Sequence, residues 1–165
     1  MSLDPPSTPS LFKTSKLAKK IKFKKIDVRN FIDLKKIIID TEPDFIFHLA
    51  AQSLVKTAYD KPLETVSTNL LGTLNILEAL KSIKKKIVAI LITSDKVYEN
   101  VEWLWGYKET DNLGGKDLYS SSKPMTELGI KSYFDSYFKG KMLNLKLVLL
   151  ELAMLLVEEI GLRID

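Results

Sequence analysis

Apolar and polar positions along this chain follow two different periods. Ile21 to Ile26 alternates apolar with polar residues, the period of a half-buried strand. Phe45 to Leu49 (FIFHL) and Ile87 to Ile92 (IVAILI) are short, nearly unbroken apolar runs. Such runs are expected where a parallel strand is covered on both faces. Between them the period lengthens. Asp33 to Asp40 predicts a short helix that stops before Pro43, and Pro62 to Ile83 a long amphipathic one with Leu70, Leu74, Leu77 and Leu80 on its apolar face. Ser120 to Phe138 again has helical spacing, after a long loop from Val97 to Leu118 that holds both tryptophans. Met1 to Phe12 is rich in Pro and Ser and reads as a loop. Strands alternating with helices predict an α/β class with a parallel sheet. Ligands then belong at the carboxyl ends of strands, which points to Ala50, Ala51 and Gln52 and to Thr93, Ser94 and Asp95.

Composition narrows the chemistry. The 165 residues suit one domain. There is no Cys and a single His, His48, so thiolate and histidine-rich metal sites are excluded and no metal is expected. A lone histidine at a buried strand end is expected to be a hydrogen-bonded structural residue. The net charge is +4, but only two of the 25 basic residues are Arg, so no nucleic-acid partner is expected. The opening MSLDPPSTPSLF lacks the basic-then-apolar order of a signal peptide. The apolar stretch Leu147 to Val157 contains Glu151 and falls short of the ~20 residues that span a bilayer, so no membrane partner is expected.

Tyr119 and Lys123 are four residues apart on the last predicted helix and therefore share a face. An ammonium beside a phenol favours the phenolate, and a phenol so placed can exchange a proton with a sugar hydroxyl. The pair alone carries little weight. Six Tyr and 23 Lys give about one such spacing by chance, and Tyr137 with Lys141 is a second, read as the chance one. Position separates them. Ser94 ends a buried strand 25 residues before Tyr119, where its hydroxyl can reach the oxygen that Tyr119 deprotonates.

Strand end, small polar residue, then Tyr-x-x-x-Lys opening a helix resembles the short-chain dehydrogenase/reductase superfamily. Three further stretches look like its cofactor-binding elements. Asp27-Val28 resembles the pair at the adenine, HLAAQ (His48 to Gln52) the strand end along the cofactor, and Asn69-Leu-Leu-Gly72-Thr73 the N-x-x-G-T on the long helix. The stretch TSDKVYENVEWLWGYKETDNLGGKDLYSSSK, Thr93 to Lys123, resembles the CDP-glucose 4,6-dehydratases, and SLDPPSTPSLF resembles their sequence after the second strand.

This resemblance implies NAD as cofactor and CDP-glucose as substrate, in a cytoplasmic enzyme whose full-length members form homo-oligomers. It assigns catalytic roles to Ser94, Asp95, Lys96, Tyr119 and Lys123. Cofactor contacts fall to Asp27, Val28, Ala50, Ala51, Gln52, Asn69, Thr93, Tyr119 and Lys123. Tyr119 would take the proton of the sugar's 4-hydroxyl, Ser94 orient its oxygen and Lys123 hold the ribose. Asp95 would protonate the departing 6-hydroxyl. Related dehydratases carry Glu at Lys96 as the carbon-5 base, and a lysine serves there only with a depressed pKa. Another nucleotide-sugar epimerase of the superfamily is the alternative, as is a remnant without activity.

The resemblance also implies what is missing. All seven Gly lie at 72 and beyond, so no glycine-rich turn is present. The expected fold is an incomplete Rossmann-like doubly wound parallel sheet lacking its first strand and that turn, and the chain alone is expected to be inactive. Residues 1–142 form the partial NAD-binding domain and 143–165 a tail. Leu150 to Gly161 reads LELAMLLVEEIG. One coding string for it, entered at the third base of the Leu150 codon, gives RAGNVIGGGDW, the family's own continuation. A shifted reading frame is therefore expected in the tail; an amphipathic C-terminal helix is the alternative.

Overall fold

The structure is a computed structural model that describes residues 8–139 and 145–151. A first helical turn, α1 (Leu11–Thr14), is capped by the Ser10 hydroxyl. α2 (Phe31–Thr41) starts where Asn30 accepts from the Asp33 N–H and donates its own amide to the Asp33 carboxylate, a reciprocal cap. It ends at Glu42, in a left-handed conformation before Pro43. β1 (Phe45–His48) follows. Then come α3 (Val55–Asp60) and α4 (Pro62–Val66), the latter opened by a proline whose missing N–H costs nothing in a first turn. A π-helical turn, Ser67–Leu71, joins α4 to α5 (Gly72–Leu80). β2 (Ile87–Thr93), a 3-10 turn (Asp95–Val97), α6 (Leu118–Tyr137) and β3 (Leu145–Glu151) complete the order.

The three strands form one parallel sheet in the order β1-β2-β3. Phe45 pairs with Val88 and His48 with Leu91, while Ile87 pairs with Leu145 and Thr93 with Glu151. All three strands therefore end on the same side. Burial alternates along β2, with Ile87, Ala89, Leu91 and Thr93 inside. That face packs on Leu34 and Ile38 of α2, Ile76, Leu77 and Leu80 of α5, and Ile130 of α6. The register puts Phe45 and Phe47 on the opposite face, where they are 59% and 61% exposed. The incomplete parallel α/β sheet is as expected.

One expected strand is not formed. Ile21 to Ile26 lies in no strand or helix, and Ile21 and Phe23 are exposed. A strand needs a ladder, and among the described residues no strand pairs with this segment. Instead, an open cavity of about 690 Å³ separates Ile26–Arg29 from the outer edge of β1. Part of the stretch read as a tail is also sheet, since its backbone supplies β3. Residues 152–165, which hold most of the stretch with two coding readings, lie outside the described residues, as does Lys141 of the second Tyr/Lys spacing.

Candidate active site

The sheet brings two strand ends beside the N-terminal turns of α6. At the end of β2, the Ser94 hydroxyl caps the 3-10 turn by accepting from the Lys96 N–H, and it donates to the Asp95 carboxylate at 2.8 Å. Across from it stands the Tyr119 phenol, whose pKa the Ser94 side chain acts to lower. Lys96 Nζ lies 3.5 Å from the second Asp95 oxygen, both groups half exposed. Asp117 caps α6 by accepting from the Ser120 N–H and hydroxyl. The cap fixes the first turn, where Tyr119 is buried, and one turn later Lys123 is buried with Nζ 5.4 Å from the Tyr119 ring centroid. Ser94, Asp95, Lys96, Tyr119 and Lys123 thus come together.

The end of β1 is tied to α6 by one side chain. Asn69 accepts from the Gln52 N–H at 2.8 Å, and its amide donates to the Gln52 carbonyl and to the Ser122 hydroxyl. The main-chain carbonyl of Asn69 accepts from the Thr73 hydroxyl at 2.6 Å. That hydroxyl has one proton, so at its 2.9 Å contact with His48 Nε2 the imidazole is the donor. Burial, with a further push from the Lys123 charge, lowers the His48 pKa to about 4. His48 is a neutral, hydrogen-bonded structural residue. The Gln52 side chain is used locally, donating to Leu54 O and Thr65 Oγ1 and accepting from the Leu54 N–H.

The electrostatics correct one expectation. Burial raises the Tyr119 phenol above its ordinary value; the Ser94 side chain opposes this, while Asp95 and Asp117 add to it. Burial lowers Lys123. In this structure burial is the largest influence on the phenol and raises it, and Lys123 is not among the groups that shift it. Asp117 behaves oppositely. Burial pushes it up, but hydrogen bonds from the Ser120 side chain and from the backbone of Ser120, Tyr119 and Asp117 itself outweigh this and hold it below the usual value.

Asp27, Val28, Ala50, Ala51 and Gln52 all line the 690 Å³ cavity. The Asp27 carboxylate is held by the Arg29 guanidinium at 2.5 Å, a hydrogen bond that lowers its pKa against the smaller effect of burial. For one end of a dinucleotide the cavity offers Asp27 and Val28; Tyr119 and Lys123, the candidates for the other end, do not line it. For the pyrophosphate the described residues offer no glycine-rich turn, and the start of α2 is already capped by Asn30. The cavity fits NAD at one end and not in its middle. No group of three potential metal ligands occurs among the described residues, and none of their helices is long and apolar enough to cross a membrane.

Reading the sequence missed Glu127. Its carboxylate accepts from the buried Thr93 hydroxyl at 2.6 Å. It stands four residues after Lys123 and eight after Tyr119, so helical spacing was the available signal. Thr73 and Ser122 lie within the Asn69–Thr73 and Tyr119–Lys123 stretches, but nothing in those stretches pointed to their bonds with His48 and Asn69.

A parallel sheet with Ser94 at one strand end, facing a helix that opens Tyr-x-x-x-Lys, defines a Rossmann-type nucleotide-sugar epimerase or dehydratase fold. The chain belongs to the GDP-mannose 4,6 dehydratase family, whose model matches residues 7–145. It is 42% identical over 137 residues to the CDP-glucose 4,6-dehydratase of Salmonella typhimurium, covering 83% of this chain and 38% of that protein. The CDP-paratose 2-epimerase of Salmonella typhi is 36% identical over 85 residues, 52% of this chain and 25% of that one. In three dimensions the chain is similar to the UDP-glucose 4-epimerase of Thermus thermophilus, solved with NAD, at a TM-score of 0.65 and 28% identity; the match covers 76% of this chain and 39% of that one. The chain spans well under half the length of each of these proteins.

Proposed function

We propose that this chain carries the catalytic residues of a nucleotide-sugar 4,6-dehydratase that converts CDP-glucose to CDP-4-keto-6-deoxyglucose by oxidation, water loss and reduction. The carrying observation is the packing of the turn after β2 on α6, which sets the Ser94–Asp95–Lys96 cluster beside Tyr119 with Lys123 on its ring. Similarity to the Salmonella typhimurium CDP-glucose 4,6-dehydratase supports the choice of sugar nucleotide.

NAD, when bound, supplies a hydride acceptor for carbon 4 and a hydride donor for carbon 6. Tyr119 and Lys123 would hold its nicotinamide ribose, Ala50, Ala51 and Gln52 its length, and Asp27 and Val28 its adenosine end. Ser94 orients the sugar's 4-oxygen while Tyr119 takes the 4-hydroxyl proton. The phenol must first come down from its raised value, which positive charge close to its oxygen accomplishes. The 4-ketone acidifies the hydrogen on carbon 5. Asp95 gives a proton to the departing 6-hydroxyl, which leaves as water. A base takes the carbon-5 proton and returns it when carbon 6 is reduced, a role open to Lys96 only once its ammonium has given up a proton. The test is product mass after incubation with NAD and CDP-glucose. Loss of one water supports the reading, and an isomer of unchanged mass would make the protein an epimerase.

A second reading has its own observation. All seven glycines lie at 72 and beyond, so no glycine-rich turn cradles a pyrophosphate. On this reading the chain by itself binds NAD weakly or not at all and is inactive alone. Titration with NAD followed by calorimetry is the measurement. Saturable binding would count against it.

A further inference from the structure

The loop between the two catalytic segments is built rather than slack. Tyr98 and Leu113 form an antiparallel bridge at its base. Two hydrogen bonds close it further, Glu99 N–H to Asn112 O at 2.8 Å and Gly114 N–H to Val97 O at 3.0 Å. The base starts four residues after Ser94 and ends six before Tyr119. Its exit lies against α6 so closely that a Cβ on Gly115 would meet Ser120 C at 2.4 Å. Within the loop the buried Tyr98 ring stacks on Tyr107 at 5.4 Å and 2°, and Tyr107 packs on Trp103 at 5.5 Å. The Tyr107 hydroxyl accepts from the Val101 N–H and donates to Asn100 Oδ1, which fixes the column.

The braced loop then presents its apolar residues outward. Trp103 is 44% exposed, Trp105 71% and Leu104 96%. Indoles gain by leaving water, and their faces stack on flat or weakly polarised C–H surfaces. A pyranose ring has such a surface on one side.

We propose that Trp103, backed by the Tyr107–Tyr98 column, and Trp105 form the aromatic wall that holds the hexose ring of the nucleotide sugar. This rests on the reading above that the hexose reacts between Ser94 and Tyr119, and it assigns sugar recognition to a loop anchored on both of their segments. Neither tryptophan is assigned a proton or a hydride.

Both tryptophans of the chain lie in this loop, so its fluorescence reports on nothing else. The full chain is titrated with CDP-glucose and with CDP, following tryptophan emission and, independently, ligand-observed NMR. The expected result is a saturable emission change with CDP-glucose and little with CDP, with affinity about tenfold weaker in W103A/W105A. Far-UV spectra should be unchanged, since both rings are surface groups. CDP-glucose binding by NMR without an emission change would overturn the aromatic wall and leave the dehydratase reading standing. An equal response to CDP would assign the loop to the nucleotide and also overturn it. Absence of binding by either method overturns both. A stacked sugar that loses no water would sink the dehydratase reading alone.

Discussion

The buried hydroxyl of Thr93 donates to the carboxylate of Glu127 across 2.6 Å, joining the last residue of β2 to α6 one turn beyond Lys123. The bond sets how far the strand end with Ser94 stands from the helix with Tyr119. Glu127→Ala leaves the Thr93 hydroxyl short of this acceptor, and a loss of about 1–2 kcal/mol is expected. Glu127→Gln, which keeps an acceptor oxygen, should retain most of the stability. Urea unfolding of the two variants is the check, and equal losses would mean that the bond carries nothing.

His48 gives the chain an acid-sensitive window. Its folded pKa lies below the unfolded one, so the unfolded chain binds the proton first. Stability is fully present above pH 6.5 and is lost as pH falls toward about 4. The loss is of the order of 3 kcal/mol. As the chain has one histidine, the window is assignable. His48→Gln, whose amide can donate to Thr73, should flatten the slope between those values in denaturation series at several pH values. A slope that persists would place its origin elsewhere.

Asn69 serves both backbone groups of Gln52. Asn69→Ala removes both partners at once, with an expected cost of about 3 kcal/mol. The local signature is faster hydrogen exchange at the Gln52 amide, beyond that of the neighbouring β1 amides. Uniform acceleration over the sheet would instead indicate general destabilisation.

The phenol of Tyr119 is held high by burial first, and Lys123 is not among the groups that shift it. In an ultraviolet titration of the chain alone, Tyr119 should ionise above 10. Tyr119→Phe should remove that late step, and Lys123→Met should leave it in place. Since the unfolded phenol ionises earlier, this tyrosine contributes stability below pH 10 that is lost as pH rises through its folded value. A later step in Lys123→Met would reverse the assignment, since it would show that the ammonium had been favouring the phenolate.

The parts of the fold that periodicity exposes are those whose surroundings are complete. IVAILI reads as a buried strand and is one, because β1 and β3 flank it and helices cover one face. Ile21 to Ile26 has a strand's alternation too, but alternation cannot supply a ladder partner. The pattern of Pro62 to Ile83 is one helix in sequence and an interrupted one in space, since apolar spacing tolerates a π turn. At the site, Ser94, Tyr119 and Lys123 could be found because short spacings place them on a strand end and a helix face. The Thr93–Glu127 and Asn69–Ser122 bonds span 34 and 53 residues. No local pattern announces them.

The π turn at Ser67–Leu71 has a consequence for how this helix tolerates change in length. Asn69 sits inside it, and Gly72, at its exit, has no room for a Cβ because Val28 Cγ2 would lie 2.7 Å away. One residue fewer would let α4 and α5 run on as a regular α-helix, with nothing wrong in its own hydrogen bonds. It would also turn everything before the deletion by about 100° around the axis relative to everything after it. The helix would survive and Asn69 or Thr73 would point the wrong way, so the number of residues here is fixed by the strand end it serves and not by the helix it belongs to.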